Sequence, residues 1–225
     1  MLERIILDEA DLLSGGRLRL IRRGDEFSIM LNLPREGWNE LMNSRRSGSE
    51  QALATLGLRG APARARVLIG GLGMGFTLRA ALAVLGPRAS VTVSELVPEV
   101  IAWGRGPMAD LHAGTLDDPR VTIIPADVGE LIREDGAAYD AILLDVDNGP
   151  AGLTRVDNAG LYGARGLAVT KRALAPGGVV AIWSAEADPA FGRRLEKAGF
   201  TVDTVTEHAH ASGKGAKHTI WLARI

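Results

Sequence analysis

The stretch VLIGGLGMGFTLRA, residues 67–80, decides the fold. An apolar run leads into a turn that contains Gly70, Gly71, Gly73 and Gly75, and a helix-like pattern follows at once. Glycine adopts positive φ without strain, and its missing β-carbon lets a ligand touch the backbone. The pattern predicts a strand, a tight turn and a helix, with a ligand beside the turn. A purely structural turn is the alternative, because strand-to-helix turns are often rich in glycine.

Short apolar or β-branched runs alternate with helical patterns from residue 66 onward. This alternation predicts a Rossmann-like, doubly wound α/β fold with a mainly parallel seven-stranded sheet. Only a loop separates the last two runs, so we expect a hairpin that adds one antiparallel strand. The predicted strands are 66–71, 90–96, 121–127, 139–146, 178–185, 201–206 and 218–225, and the predicted helices are 76–86, 97–109, 128–135, 160–174 and 189–198.

The first 65 residues have a different pattern. RLRLIRRGDEFSIMLNL, residues 17–33, predicts two strands that turn at RGDE, and 36–57 predicts a helix. We therefore expect a small N-terminal β-hairpin and helix region over 1–60, and a Rossmann-like catalytic domain over 61–225.

Composition excludes several classes of function. The chain has 225 residues with 26 basic and 27 acidic side chains, a net charge of −1, and no cysteine. Near-balanced charge gives no support for a nucleic-acid or membrane-surface partner, and disulfides and thiolate metal sites are excluded. The opening residues lack a basic segment before their apolar run, and no apolar window is long enough to cross a bilayer. We expect a cytoplasmic protein.

Acidic residues follow successive predicted strands. Glu95 ends the second strand, Asp127 the third, and Asp145 with Asp147 the fourth, while Glu186 follows the fifth. In a doubly wound sheet these positions share one edge with the glycine turn. A carboxylate about twenty residues after such a turn can accept both ribose hydroxyls. The alternative is that each acid caps the next helix, which suits Asp127 better than Glu95, because glutamate is a poor cap.

This edge therefore predicts a nucleoside site with negative charge. Such a site attracts cations and repels phosphates, so a pyrophosphate cofactor such as NAD fits badly. S-adenosylmethionine or decarboxylated S-adenosylmethionine, each a sulfonium nucleoside, fits well. The predicted cofactor-binding residues are Gly71, Gly73, Gly75, Glu95 and Asp127, with Asp127 accepting from the adenine amino group.

Several segments resemble the spermidine synthases (polyamine aminopropyltransferases), within the S-adenosylmethionine-dependent methyltransferase superfamily. The segments are GGLGMGFTLRA, VSELVPEVI, PADVGELI, YDAILLDVDNGP and ALAPGGVVAIWSAE. The resemblance implies a class I methyltransferase fold, with Glu95 on the ribose, Asp127 on the adenine and Asp145 as the catalytic aspartate. The family tends to form dimers or tetramers, so a homodimer is expected.

The sequence departs from that family at the acceptor end. Met74 stands where the family has an aspartate in the glycine turn. The family's Tyr-His-Glu becomes Gly48, Ser49 and Glu50, and Asn148 replaces a second aspartate. The adenosine end therefore matches the family, while the acceptor end differs from it.

An amine acceptor needs a base, because a free amine with a pKa of about 10.4 is protonated at neutral pH. We expect Asp145 to be that base, with Glu50 or Asp147 holding the cationic acceptor. The alternative for Asp145 is a turn-forming role in DVDNGP. The polar segment 147–160 is predicted to gate the site. The histidines in EHAHASGKGAKH, residues 207–218, are assigned to a hairpin loop, and no metal site is predicted.

Three functions are consistent with these residues. Aminopropyl transfer to a small-molecule amine or other small acceptor is the first, and methyl transfer from S-adenosylmethionine is the second. A non-catalytic nucleoside-binding protein is the third.

Overall fold

Two β-sheets and a set of helices make up the computed structural model, which describes residues 2–12, 15–134, 136, 138–146, 158–210, 213 and 215–225. The strands are β1 Ile5–Asp11, β2 Arg17–Arg23, β3 Glu26–Leu33, β4 Gly37–Asn43, β5 Arg66–Gly70, β6 Ser90–Ser94, β7 Val121–Ile124, β8 Tyr139–Leu144, β9 Leu174–Ser184, β10 Thr201–His208 and β11 Lys217–Arg224. The helices are α1 Gly48–Gly57, α2 Phe76–Val84, α3 Pro98–Arg105, α4 Ala109–His112, α5 Val128–Arg133, α6 Asn158–Tyr162, α7 Ala164–Ala173 and α8 Pro189–Lys197.

The large sheet has the strand order β10-β11-β9-β8-β5-β6-β7. Strands β9, β8, β5, β6 and β7 run parallel, and β11 pairs antiparallel with both of its neighbours. Among the strands that the structure describes, β11 is thus the one reversed strand of this sheet. The predicted seven-stranded doubly wound fold is confirmed.

Helices cover both faces of the large sheet, which explains why its central strands are apolar throughout. Side chains alternate along β5, so Val67 and Ile69 join the core under α1 and α2. Leu68 joins the opposite core, under α5, α7 and α8. All three side chains are almost completely buried.

A separate four-stranded antiparallel sheet, β1-β2-β3-β4, forms the N-terminal part of the chain. The predicted helix over 36–57 is wrong in its first half, because 37–43 form strand β4 and only 48–57 are helical. These residues form a strand and not a helix because β4 pairs with β3, and because Leu41 and Met42 pack against the apolar core of this sheet. Trp38 lies under the guanidinium of Arg19, with 3.9 Å from its ring centre to Cζ.

A third core joins this sheet to the glycine turn. Leu20 and Ile29 of the sheet pack with Met74, Trp103 and Met108, all at most 2% exposed. Helix α1, by contrast, packs into the core of the large sheet. The domain boundary between residues 60 and 61 stays a prediction. Within the described ranges, every helix is too short or too polar to cross a bilayer.

Candidate functional site

A cavity of about 880 Å³ lies between the N-terminal sheet and the edge of the large sheet where the parallel strands end. This volume is near the upper end of the ~300–1,000 Å³ range of small-molecule pockets. Its floor is the glycine turn after β5. Residues that follow β6, β7 and β8 form one side, and β2, β3 and β4 contribute the other. The cavity thus occupies the position predicted for a ligand in a doubly wound sheet.

The glycine turn depends on a missing β-carbon at Gly71. This residue has φ +91°, and a β-carbon there would overlap the carbonyl oxygen of Asp145. The turn is also held by backbone bonds: Gly71 N donates to Ser94 O at 2.8 Å, and Asp145 N donates to Gly70 O at 2.9 Å. The turn after β5 and the end of β8 therefore form one tightly packed unit.

The other two predicted glycines also lie in this turn. Gly73 lines the cavity, and a β-carbon there would meet Sδ of Met42 at 3.1 Å. Gly75 has φ +75°, and its missing β-carbon makes room for the buried imidazole of His112. Gly75 thus serves the packing behind the cavity, whereas Gly71 and Gly73 form its surface.

Glu95 fixes the glycine turn and lines the cavity. Its side chain is buried, with Oε2 accepting from Leu72 N at 2.9 Å and Oε1 accepting from Val97 N at 2.9 Å. The carboxylate therefore connects the turn after β5 to the entrance of α3. Its predicted contact with ribose stays a prediction.

Asp127 caps helix α5. Its Oδ1 accepts from Gly129 N at 2.7 Å, which is the capping role that the sequence allows as the alternative. The residue also lines the cavity, so capping does not remove it from the site. Contact with an adenine amino group stays a prediction.

Asp145 stands at the end of β8, next to the glycine turn. Its Oδ2 accepts from Thr77 Oγ1 at 2.5 Å, and Thr77 belongs to the first turn of α2. Burial, together with the nearby charge of Glu50, raises the pKa of Asp145 to about 7, against the opposing effect of the Thr77 bond. A carboxyl group with this pKa can accept and release a proton at neutral pH.

Glu50, on α1, is the second acid beside Asp145. Its pKa is raised by burial, although a hydrogen bond from Ser49 Oγ to Oε2 at 2.7 Å opposes the shift. Ser49 Oγ also lies 2.8 Å from Nδ1 of His218. Because Ser49 gives its single hydroxyl hydrogen to Glu50, Nδ1 of His218 must donate in the second bond. The ring of His218 rests edge-on against Trp183, with 4.7 Å between ring centres.

The sequence missed Thr77, Ser49 and His218 as parts of this site. The predicted hairpin loop 207–217 is shorter, since β10 continues to His208 and β11 begins at Lys217. His218 lies in β11, as the predicted strand 218–225 has it, and pairing of β11 with β9 carries it next to Trp183. The one available signal was the alignment of Ser49 with the histidine of the resembling family, which marks a position directly before Glu50.

Other predicted site residues are not gathered here. Glu186 is exposed and does not line the cavity. Asp147 and most of the predicted gate over 147–160 lie outside the described residues. Across the described part of the chain, no group of three or more histidine and acidic side chains is arranged to hold a metal ion.

Curated relatives match about half of the chain. It is 35% identical to polyamine aminopropyltransferase 2 of Pseudomonas aeruginosa over 124 residues, which are 53% of this chain and 33% of the relative. It is 37% identical to polyamine aminopropyltransferase 1 of Streptomyces coelicolor over 121 residues, 52% of this chain and 22% of the relative. The matched region thus spans a third or less of each relative. No protein-family model matches the chain.

Solved structures share the fold across nearly the whole chain. Spermidine synthase from Thermotoga maritima superposes with a TM-score of 0.73 at 20% identity, covering 97% of this chain and 72% of that protein. Human methyltransferase-like protein 13, in complex with SAH, superposes with a TM-score of 0.57 at 20% identity and covers 79% of both chains. The architecture is therefore that of spermidine synthases and class I methyltransferases.

A substitution at Gly71 tests the close approach to Asp145. We expect Gly71→Ala to abolish binding of an adenosyl thioether, because the new methyl group displaces the end of β8. Gly60→Ala is the matched control, since Gly60 also has positive φ, +81°, but no atom lies within 4 Å of the added carbon. Calorimetric titration measures both variants. Equal affinity in the two variants would contradict the assigned packing.

The raised pKa of Asp145 predicts a pH-dependent stability. An acid whose pKa rises from 3.8 in the unfolded chain to about 7 in the folded protein destabilises the fold as pH increases between those values. We expect Asp145→Asn to remove this effect. Its free energy of unfolding, relative to wild type, should therefore rise between pH 4 and pH 7, by at most about 1.4 kcal/mol for each step of one in pH.

Urea denaturation at several pH values measures this difference. Asp110→Asn, at an exposed position of α4, controls for the loss of one negative charge. A difference between Asp145→Asn and wild type that is the same at pH 4 and pH 7 would show that Asp145 ionises normally.

Proposed function

We propose that this protein transfers an aminopropyl group from decarboxylated S-adenosylmethionine to an amine acceptor. The observation that carries the proposal is the pair of Asp145 and Glu50, held against the glycine turn at the floor of the cavity. A sulfonium carbon is already activated for attack, so the protein needs only to align the nucleophile and remove a proton. The pair can do both.

The donor would lie along the glycine turn. Gly71 and Gly73 offer bare backbone to it, Glu95 and Asp127 stand at the ends of the neighbouring strands, and Gly75 keeps the turn in shape. The acids at this edge favour a cationic sulfonium over a phosphate-bearing nucleotide. This is the donor-binding set that the sequence predicts.

Glu50 and Asp145 have different roles in the proposed reaction. The carboxylate of Glu50 holds the ammonium of the acceptor, and Asp145 takes its proton. The amine nitrogen then forms a bond to the carbon next to sulfur. The carbon–sulfur bond breaks, its electron pair stays on sulfur, and a neutral thioether leaves. Asp145, with a pKa of about 7, later releases the proton to solvent.

Thr77, Ser49 and His218 position the two acids. Thr77 fixes one oxygen of Asp145, and Ser49 fixes one oxygen of Glu50. His218, on strand β11, orients Ser49 through the bond between its Nδ1 and the Oγ of Ser49. These bonds restrict the movement of both carboxyl groups beside the cavity.

The curated relatives support the aminopropyl group, since both are named polyamine aminopropyltransferases and each matches about half of this chain. Methyl transfer from S-adenosylmethionine is the second candidate. It is favoured by Met74, which is 2% exposed and places an apolar side chain where the resembling family has an aspartate. A homodimer stays a prediction.

Turnover by Asp145→Asn tests the proposal. Decarboxylated S-adenosylmethionine and S-adenosylmethionine are each incubated with a panel of primary amines, and release of the thioether is measured. We expect turnover with the decarboxylated donor, and a loss of about 10²- to 10⁴-fold in kcat for Asp145→Asn. Affinity for the spent thioether should stay within a few-fold of wild type.

Asp110→Asn serves as the control and should retain full turnover. Faster turnover with S-adenosylmethionine would replace the proposed reaction by methyl transfer. Undiminished turnover in a folded Asp145→Asn would remove Asp145 from the mechanism. Binding of thioethers with no turnover of either donor would favour a nucleoside-binding protein.

A further inference from the structure

The cavity has two walls of different chemistry. One wall carries the acids Glu95 and Asp127, beside Val128 and Leu161. The other wall is formed by the N-terminal sheet and by the part of the glycine turn that packs against it. The first wall is the one assigned to the donor nucleoside. The second wall is therefore the surface that an acceptor would meet.

This second wall is apolar. From the sheet come Leu18, Ile29, Leu31, Leu41 and Met42, and from the glycine turn comes Met74. Among the described residues of the N-terminal sheet that line the cavity, Asp11 is the single charged one. Its carboxylate is already paired, with Oδ1 accepting from Nε of Arg17 at 2.9 Å.

The proposed catalytic pair adjoins this apolar wall. Thr77 Oγ1 donates to Asp145 Oδ2 at 2.5 Å, and the same oxygen lies 3.3 Å from the carbonyl oxygen of Glu50. The preceding residue, Phe76, belongs to the core of the apolar wall and lines the cavity. An amine held by Glu50 and Asp145 would therefore extend its remaining atoms along apolar side chains.

We propose that the acceptor is a primary amine with one amino group and an apolar body, and not a diamine or polyamine. This inference rests on the proposed function, since it names the acceptor of the same site. Glu50 and Asp145 can satisfy one ammonium between them. A second ammonium, placed against the apolar side chains of this wall, would lose its hydration, and Asp11, the one acid of the wall, is already bonded to Arg17. This arrangement is strongly unfavourable.

Glu99 offers the main competing arrangement. It lies in the first turn of α3 and lines the cavity next to Pro98 and Val100. If a diamine were the acceptor, Glu99 could pair with its distal ammonium. The Glu99→Gln variant therefore belongs in the test, because it should leave the use of an apolar monoamine unchanged and would impair only the use of a diamine.

Binding and turnover are measured separately with a matched set of amines. The protein is saturated with 5′-methylthioadenosine, and butylamine, hexylamine, octylamine and 1,5-diaminopentane are titrated by calorimetry. The same amines are then used as acceptors with each donor. Each methylene added to the monoamine should raise affinity and kcat/KM by roughly three- to fourfold. Hexylamine should exceed the isosteric diamine by at least about tenfold.

A charge added to the apolar wall should change this preference. Leu41 is half-buried on β4, and Leu41→Glu should shift the ratio of hexylamine to diamine by at least about tenfold toward the diamine. Leu41→Gln separates the effect of charge from that of lost packing. Asn39→Glu, on the same strand but exposed and outside the cavity lining, is the matched control and should leave the ratio unchanged.

The outcomes separate the inference from the proposed function. Turnover with the diamine at or above the level of hexylamine would overturn the inference while the proposed function stands. Loss of diamine turnover in Glu99→Gln would do the same. Tight binding of the monoamines without turnover would support the inference while the proposed function fails. Absence of binding and turnover for every monoamine would overturn the inference.

Discussion

The close approach of Gly71 to the carbonyl of Asp145 is the constraint on which the site depends. It brings the turn after β5 and the end of β8 together, and the backbone bonds from Gly71 to Ser94 and from Asp145 to Gly70 keep them there. A side chain at Gly71 would separate the turn proposed to bind the donor from Asp145, the acid proposed to act on the acceptor. In the proposed reaction, donor binding and proton transfer therefore depend on the same few backbone atoms.

Burial shifts the pKa values of two acids beside this packed unit, and the charge of Glu50 adds to the shift at Asp145. Asp145 and Glu50 both have raised pKa values, and each accepts a hydrogen bond from a neighbouring hydroxyl. Glu95 and Asp127 instead accept hydrogen bonds from backbone N–H groups. The cavity is therefore lined by two acids whose pKa values are raised and by two acids that backbone groups hold in place. This division suits a cationic donor and an amine that must lose a proton.

Much of the fold could be predicted from the sequence, because parallel strands buried on both faces leave an unmistakable alternation of apolar runs and helices. The glycine turn and the acids at strand ends likewise follow from local pattern. The strand β4 could not be predicted in this way, since GWNELMN forms a strand only by pairing with β3 and by burying Leu41 and Met42 in a shared core.

Ser49 and His218 could not be predicted as site residues for the same reason. Ser49 and His218 are 169 positions apart, and only the pairing of β11 with β9 brings the histidine to the serine. The sheet part of the apolar wall comes from β2, β3 and β4. The sequence predicts β2 and β3 but not β4, so the apolar character of this wall could not be predicted. Local patterns thus predict the proposed donor side of the cavity, whereas the proposed acceptor side depends on contacts between distant segments.

Calorimetric titration of the purified protein with adenosyl compounds tests whether this edge of the sheet binds a sulfonium nucleoside. The compounds are S-adenosylmethionine, its decarboxylated form, their two spent thioethers and, as the phosphate-bearing contrast, NAD. A negative edge beside bare backbone should bind at least one sulfonium or thioether with a dissociation constant in the micromolar range, and should not bind NAD. Binding of NAD, with no binding of any adenosyl sulfonium or thioether at millimolar concentration, would contradict the account.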